Sequence, residues 1–362
     1  MNPVNPSAPL QFPCGRSMPN RLMLAPMTNC QSHDDGHLSE DEYRWLTMRA
    51  QGGFGLTMTC ASHVQKIGQG FPGQLGFFEA AHGVGHRRLA EGIQAHGSLA
   101  VVQLHHAGMR APSALIGEAP VCPSADEETG ARALTTHEVH QLRDDFITAA
   151  QRAAEAGYDG VEIHGAHGYI LCQFLSPQYN RRTDAYGGSL ANRWRLVLEI
   201  LEGVRSACGS SFLIGLRLSP ERFGMQPSEC LALCQRVTDE RLVDFLDISL
   251  WDVFKPAEGA TGGDEQRLLD AFTSMARGEV RLTVAGKIMT AADVRWVLAQ
   301  GVDFAAIGRA GILHHDFARQ IIDDPEFTPR TTPVSRATLA AEGLGEDFIE
   351  YMTRWKGFVD EA

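Results

Sequence analysis

From about residue 22 to residue 322, short and nearly continuous apolar runs alternate with longer stretches whose apolar positions recur every three to four residues. The short runs fall at 22–27, 54–60, 99–104, 160–164, 212–219, 245–250, 280–285 and 304–308. Such runs predict parallel strands buried on both faces, and the longer stretches predict amphipathic helices. The clearest helices are 137–156, with Thr136 as N-cap and Gly157 closing it, and 190–208, between Ser189 and Gly209. Strand and helix repeated eight times with right-handed crossovers close into a (β/α)8 TIM barrel. The rival fold, an open doubly wound sheet, normally carries a G-x-G-x-x-G turn after its first strand. Here that strand runs instead into Ala25-Pro26-Met27-Thr28.

Two segments fall outside the alternation. The Pro- and Gly-punctuated connection 106–136 after strand three is too long for a simple link and reads as a lid over the site. The tail, 339–362, carries Phe348, Tyr351, Trp355 and Phe358 at helical spacing. That stripe packs on its own barrel or makes a contact in a homo-oligomer. No linker divides the chain, so residues 1–362 read as one domain, with the barrel at about 20–325.

Composition narrows the partners. The formal net charge of −12 argues against nucleic acid or an anionic membrane surface, though not against a small anionic ligand held by one or two arginines. The first ten residues lack a basic and apolar leader, and no run approaches the roughly 18 apolar residues of a membrane span. Eight cysteines without repeated spacing suit reduced thiols, so the expected compartment is the cytoplasm. Cys230 and Cys234 share a helix face and read as packing rather than as metal ligands.

In this fold the chemistry sits at the C-terminal ends of the strands. Strand three ends in Gln103-Leu104-His105-His106, and strand four in His164-Gly165-Ala166-His167-Gly168-Tyr169. Strand five carries Arg217, strand seven ends in Gly286-Lys287, and strand eight in Gly308-Arg309. The two glycines allow backbone N–H groups to approach an anion, and Arg309 offers a bidentate clamp for a phosphate. His164 and His167 are two imidazoles three residues apart, able to donate to a substrate oxygen or, with His105 and His106, to bind a metal. Tyr169 is a phenol suited to protonating a carbon that becomes carbanion-like.

Five motifs together carry a family resemblance. They are Asn20-Arg21 with Ala25-Pro26-Met27; Gln103 with His106-Ala107-Gly108; His164-x-x-His167-Gly168-Tyr169; Asn180-Arg181-Arg182-Thr183-Asp184-x-Tyr186-Gly187-Gly188-Ser189; and Ile307-Gly308-Arg309. In this order, over about residues 12–325, the chain resembles the Old Yellow Enzyme family of NADH:flavin oxidoreductases and ene reductases. The resemblance implies a non-covalent FMN across the barrel mouth and NAD(P)H as reductant. It places Pro26, Met27, Thr28, Ala61, Gln103, His164 and Arg217 around the flavin ring, and Gly286, Gly308 and Arg309 on its phosphate. It further implies that His164 and His167 grip the oxygen of an electron-poor alkene, an enone or nitro compound. Hydride then leaves flavin N5 for one carbon, and Tyr169 protonates the other.

The chain departs from the family pattern in places. Met109 stands where many relatives have an arginine and Arg110 follows it; Cys30 replaces a frequent aromatic; Trp251-Asp252-x-Phe254 fits no family motif. In one branch of the family an arginine near the C-terminus reaches into a neighbour's site, and Arg354 is the candidate here. Two other chemistries suit the same barrel. One is a flavin dehydrogenase acting on a small amine; the other is a Schiff-base lyase or aldolase using Lys287.

Overall fold

The structure is a computed structural model of the chain and describes residues 5–256 and 267–360. Eight parallel strands close into a barrel: β1 (Leu22–Leu24), β2 (Leu56–His63), β3 (Leu99–His105), β4 (Gly160–Gly165), β5 (Leu213–Leu218), β6 (Phe245–Ser249), β7 (Arg281–Ala285) and β8 (Phe304–Ile307). Closure comes where β8 pairs with β1, Ala305 lying opposite Leu22. The outer ring consists of α1 (Glu40–Gln51), α2 (Gly83–Gln94), α3 (Thr136–Glu155), α4 (Leu190–Cys208), α5 (Pro227–Asp239), α6 (Leu268–Thr273), α7 (Ala291–Ala299) and α8 (Phe317–Asp323). This is the (β/α)8 barrel that the hydrophobic pattern predicts.

Each strand has two buried faces of different chemistry. Outward positions such as Val102, Leu104, Ile163, Leu216, Ile248 and Val284 join the apolar layer under the helices. Inward positions at the lower end form a separate apolar plug from Met23, Leu56, Met58, Val101, Leu213, Phe245 and Phe304. A short N-terminal hairpin, Leu10–Gln11 paired with Ser17–Met18, closes this end and drives Phe12 against Phe245 and Phe304, with ring centroids 5.9 and 5.6 Å apart. Gly215 makes room here: a Cβ on it would stand 2.1 Å from the Phe245 ring. Higher up the same inward positions turn polar: Gln103 and His105, Glu162 and His164, Arg217, Asp247 and Ser249. The period of two along a strand thus separates a sealed floor from a chemical rim.

Local signals set the boundaries, with corrections. The cap of α3 is Thr135, not Thr136: its hydroxyl accepts the Glu138 N–H (3.2 Å) and the Glu138 carboxylate accepts the Thr135 N–H (2.8 Å). This reciprocal box makes Thr136 the first helical residue. Ser189 and Gly209 do bound α4. Strand β1 stops at Leu24 instead of running to residue 27, because Pro26 has no N–H for the ladder. Strand β2 runs past residue 60 to His63 after a register shift between Met58 and Ala61, a bulge that resets the strand at the mouth.

The tail forms α9 (Arg336–Ala341) and α10 (Glu346–Thr353). Phe348 is buried edge-on against Trp45 of α1 at 4.9 Å, and the Gly345 N–H donates to Gln31 at 2.7 Å. The apolar stripe therefore packs on its own barrel and ends beside the mouth. Cys230 and Cys234 are buried in α5, and among the described residues no group of three His, Cys, Asp or Glu side chains could hold a metal. No helix of the described residues is long and apolar enough to cross a membrane.

Candidate active site

At the C-terminal mouth of the barrel lies a cleft in two connected parts. One, of about 510 Å³, is lined by Pro26, Met27, Thr28, Ala61, Gln103, His164, His167, Tyr169 and Arg217 among others. The second, of about 410 Å³, shares Pro26, Met27, His167 and Arg217 with it and continues to Gly286, Lys287, Gly308 and Arg309. Every residue that the resemblance places on the flavin or the substrate lines this cleft, whereas His105, His106 and Arg354 do not. Each part falls in the size range of small-molecule sites, and together they run from the barrel axis to the phosphate-type loops after β7 and β8.

Backbone conformation marks the same rim. Among the described residues seven non-glycine residues have positive φ, and six of them (Cys30, His167, Arg222, Phe223, Trp251 and Lys287) stand on loops that follow barrel strands. Such conformations cost about 1–3 kcal/mol each and persist only where the surroundings impose them. The glycines differ in purpose. A Cβ on Gly286 would collide with Asp252 N at 2.7 Å, so the loop after β6 demands that glycine. A Cβ on Gly308 would meet only Met27 Sδ at 3.7 Å, so its missing side chain leaves open room in the cleft.

His164 and His167 form a short relay. The Ala166 N–H points at His164 Nδ1 (3.2 Å), which puts the proton of the neutral ring on Nε2. That N–H faces His167 Nδ1 at 3.3 Å, and His167 Nε2 donates to Ser249 Oγ at 2.8 Å. Burial, followed by neighbouring positive groups including Arg217 and Arg110, holds both rings well below the usual imidazole range. Both are therefore uncharged donors at neutral pH. Tyr169 stands edge-on to His105 and His164, at 4.3 and 5.3 Å between centroids. Burial raises its phenol above 10, so it keeps its proton.

Beneath the floor of the cleft lies a buried polar quartet. Gln103 Nε2 donates to Glu162 Oε1 at 2.7 Å, and Arg217 Nε lies 3.1 Å from Asp247 Oδ2. The latter pair is close enough for charge pairing but is not aligned as a hydrogen bond, leaving Arg217 Nε and both Asp247 oxygens without a hydrogen-bond partner among the described residues. Burial, then the Asp247 charge, pushes Glu162 well above the carboxylate range. Burial also raises Asp247, but the Arg217 guanidinium opposes that. We assign the proton to Glu162 and the charge to Asp247.

The motifs that matched no pattern acquire places. Trp251 lines both parts of the cleft, Asp252 pairs with Lys287 Nζ at 2.7 Å, and Phe254 packs on Trp296 at 4.8 Å. Of the connection 106–136 only Arg110 lines the cavity, where it donates to the His167 carbonyl oxygen; Met109 is buried with Cys122 and Ala131. The roof comes from Trp251 and from Tyr351, Met352 and Trp355 of the tail. Arg354 and Cys30 line an adjoining recess, and burial pushes the Cys30 thiol up to about 11. The sequence reading missed Ser249, Arg222, Phe223 and the Glu162–Asp247 contact. The polar residues at every second position of β4 and β6 were the available signal for that contact.

Several buried histidines couple folding to pH. Burial lowers His63 from 6.5 to about 4, and His86 and His106 to about 3. The folded values lie below the unfolded one, so under 6.5 the unfolded chain takes up protons the folded chain refuses. Stability is then full above 6.5 and falls toward 3, so the melting temperature should drop steadily on acidification through that window. A midpoint unmoved between neutral pH and about pH 5 would contradict this assignment.

The barrel, the cleft at its C-terminal mouth and the set of neutral donors beside a phosphate-type loop suit a flavin-dependent oxidoreductase, and the comparisons with known proteins show that class. The model of the NADH:flavin oxidoreductase / NADH oxidase family matches residues 8–331, and the chain belongs to that family. It is 38% identical over 332 residues to the Bacillus subtilis protein named Probable NADH-dependent flavin oxidoreductase YqiG, covering 88% of this chain and 86% of that one. It is 34% identical to the NADH:fumarate oxidoreductase of Klebsiella pneumoniae, with 88% of this chain aligned but only 36% of that longer protein. The solved Old Yellow Enzyme homologue from Zymomonas mobilis superposes with a TM-score of 0.79 at 26% identity, covering 93% and 96% of the two chains. The expectation of a family relationship is met.

Proposed function

We propose that this chain binds one FMN non-covalently in the cleft and uses NAD(P)H to reduce activated C=C bonds of α,β-unsaturated carbonyl or nitro compounds. The observation that carries the reading is one cavity holding two neutral imidazoles and a protonated phenol, open at one side to Gly308 and Arg309. The residues present fit the cofactor. Arg217 is a buried cation at the edge of the cavity, and Gly308 leaves space where a side chain would intrude. Pro26, Met27, Thr28 and Ala61 form the wall against which a flat ring lies. Gln103 and Arg217 receive its polar edge, while Gly286, Gly308 and Arg309 hold its phosphate.

When bound, FMN supplies hydride transfer between nicotinamide and alkene; the chain supplies orientation, polarisation and a proton. The His164 Nε2–H turns from His167 to the substrate oxygen, and His167 shifts its proton to Nδ1 to give the second bond, its Nε2 then accepting from the Ser249 hydroxyl; together they draw electron density from the alkene. Ser249 fixes the His167 ring from behind. Tyr169 delivers its phenolic proton to the carbon that the hydride does not take. With ligands filling the cleft the trio is screened from bulk water, and there each donor acts more strongly than it does in solution.

The alternatives lose ground on particular contacts. Among the described residues no carboxylate lines the cavity that contains Arg110, Arg217 and Arg222, a poor setting for a cationic amine. Lys287 is 55% exposed and paired with Asp252, whereas a Schiff-base lysine needs a desolvated or cation-flanked amine. Purification tests the proposal: the protein should be yellow and release one FMN per chain on denaturation. No flavin band even after FMN is added would overturn it. Phenols should perturb that band, and replacing either His164 or His167 by Ala should weaken them by about 1.5–3 kcal/mol. Unchanged phenol affinity in the double variant would remove the oxygen-binding role.

A further inference from the structure

The cavity around His164, His167 and Tyr169 has the opposite charge to the rest of a chain of net −12. Among the described residues its lining includes Arg110, Arg217 and Arg222 and no aspartate or glutamate. Arg217 is matched from below by Asp247 at 3.1 Å. The other ion pairs near the mouth join Lys255 to Glu221 and Lys287 to Asp252, and among the described residues none reaches Arg110 or Arg222.

Both guanidiniums are held beside the reacting groups. Arg110 donates to the His167 carbonyl oxygen, and its guanidinium carbon lies 4.7 Å from the centroid of the Tyr169 ring. Arg222 lies 4.3 Å over the indole of Trp251, whose ring is 6.0 Å from His167. Left-handed backbone at Arg222 (φ 66°) and Phe223 (φ 52°) holds this turn in place. A guanidinium stacked on an aromatic face keeps its in-plane N–H edge free for a planar anion.

We propose that the alkene reduced here carries a carboxylate or other anionic oxygen group in addition to its activating carbonyl, and that Arg110 and Arg222 receive it. The inference rests on the alkene-reducing reading and adds the substrate class. Cations in a cleft of an otherwise acidic protein raise the local concentration of an anionic ligand, and salt screens the effect. The dinucleotide reductant is a second source of anionic oxygen. Its phosphates lie beyond the ribose from the ring that reacts, whereas Arg110 touches the residues flanking that ring's place.

The test compares a cyclic enone bearing a ring carboxylate with its methyl ester, using the flavin-loaded enzyme. The acid should have a kcat/KM at least about tenfold above the ester at low ionic strength, and the preference should shrink with added salt. In the double variant Arg110→Gln, Arg222→Gln the acid-to-ester ratio should fall to about one; taking the ratio cancels any general loss. Binding gives a readout without turnover: 4-hydroxybenzoate should perturb the flavin band at lower concentration than its methyl ester, and the variant should abolish that gap. A wild-type ratio near one, or a ratio the variant leaves intact, overturns the proposal. Slower flavin reduction by NAD(P)H with the ratio intact also overturns it and assigns the arginines to the dinucleotide. If nicotinamide reduces the flavin but neither enone is consumed, the alkene reading itself fails, and this proposal with it.

Discussion

Replacing Tyr169 by phenylalanine is expected to slow alkene reduction by about 10²–10⁴-fold while sparing flavin reduction by NAD(P)H. The substitution keeps the ring that stands edge-on to His105 and His164 and deletes only the hydroxyl. Burial holds that phenol in its protonated form, and Arg110 beside it offsets only part of the effect. The nicotinamide half-reaction moves a hydride and asks nothing of a phenolic acid. The alkene half-reaction needs a proton on the second carbon, and in the proposed function Tyr169 is the acid that gives it. Nitroolefins should suffer less at the hydride step, because a nitronate anion forms without immediate protonation. Stopped-flow traces separate the two halves. Equal slowing of both would make Tyr169 a general ligand-positioning residue, and equal rates would assign the proton to water or another group.

The second large effect is on stability. Asp247→Ala should cost about 3–5 kcal/mol, because it leaves the Arg217 guanidinium, 5% exposed, buried without its counter-charge. Glu162→Gln should be close to neutral or stabilising at pH 7, since an amide resembles the protonated acid assigned to Glu162. The sign follows from its raised folded value: Glu162 supports folding below the unfolded carboxylate range and loses that support as pH rises. Denaturant unfolding of both variants in the same flavin-loaded state makes the comparison. If Glu162→Gln is as damaging as Asp247→Ala, Glu162 carries the charge and the assignment of the shared proton is wrong.

The pair also shows where local sequence stops being informative. Glu162 and Asp247 lie on β4 and β6, with β5 between them; there Gly215 pairs with both Glu162 and Phe245 and contributes no side chain. Their inward orientation follows from the period of two. Their meeting follows from the register of three strands and the closure of the barrel.

Much else was decided by the chain alone. Apolar runs buried on two faces, capped amphipathic helices and the absence of a dinucleotide-type turn are local properties, and they specify the barrel. Because this fold gathers its strand ends at one rim, the residues there (Gln103, His164, His167, Tyr169, Arg217, Gly308 and Arg309) were legible as a site from the sequence, and the family resemblance added Pro26 to Thr28. Tertiary structure decided what surrounds them. It turned Arg110 rather than Met109 to the cavity, carried Tyr351, Met352 and Trp355 some 180 residues from Tyr169 to its roof, and set Arg222 over Trp251 on strained turns. Periodicity encodes which way a side chain faces along its own strand or helix. Which distant loops meet over the mouth depends on packing between elements far apart in the chain, and no local pattern records that.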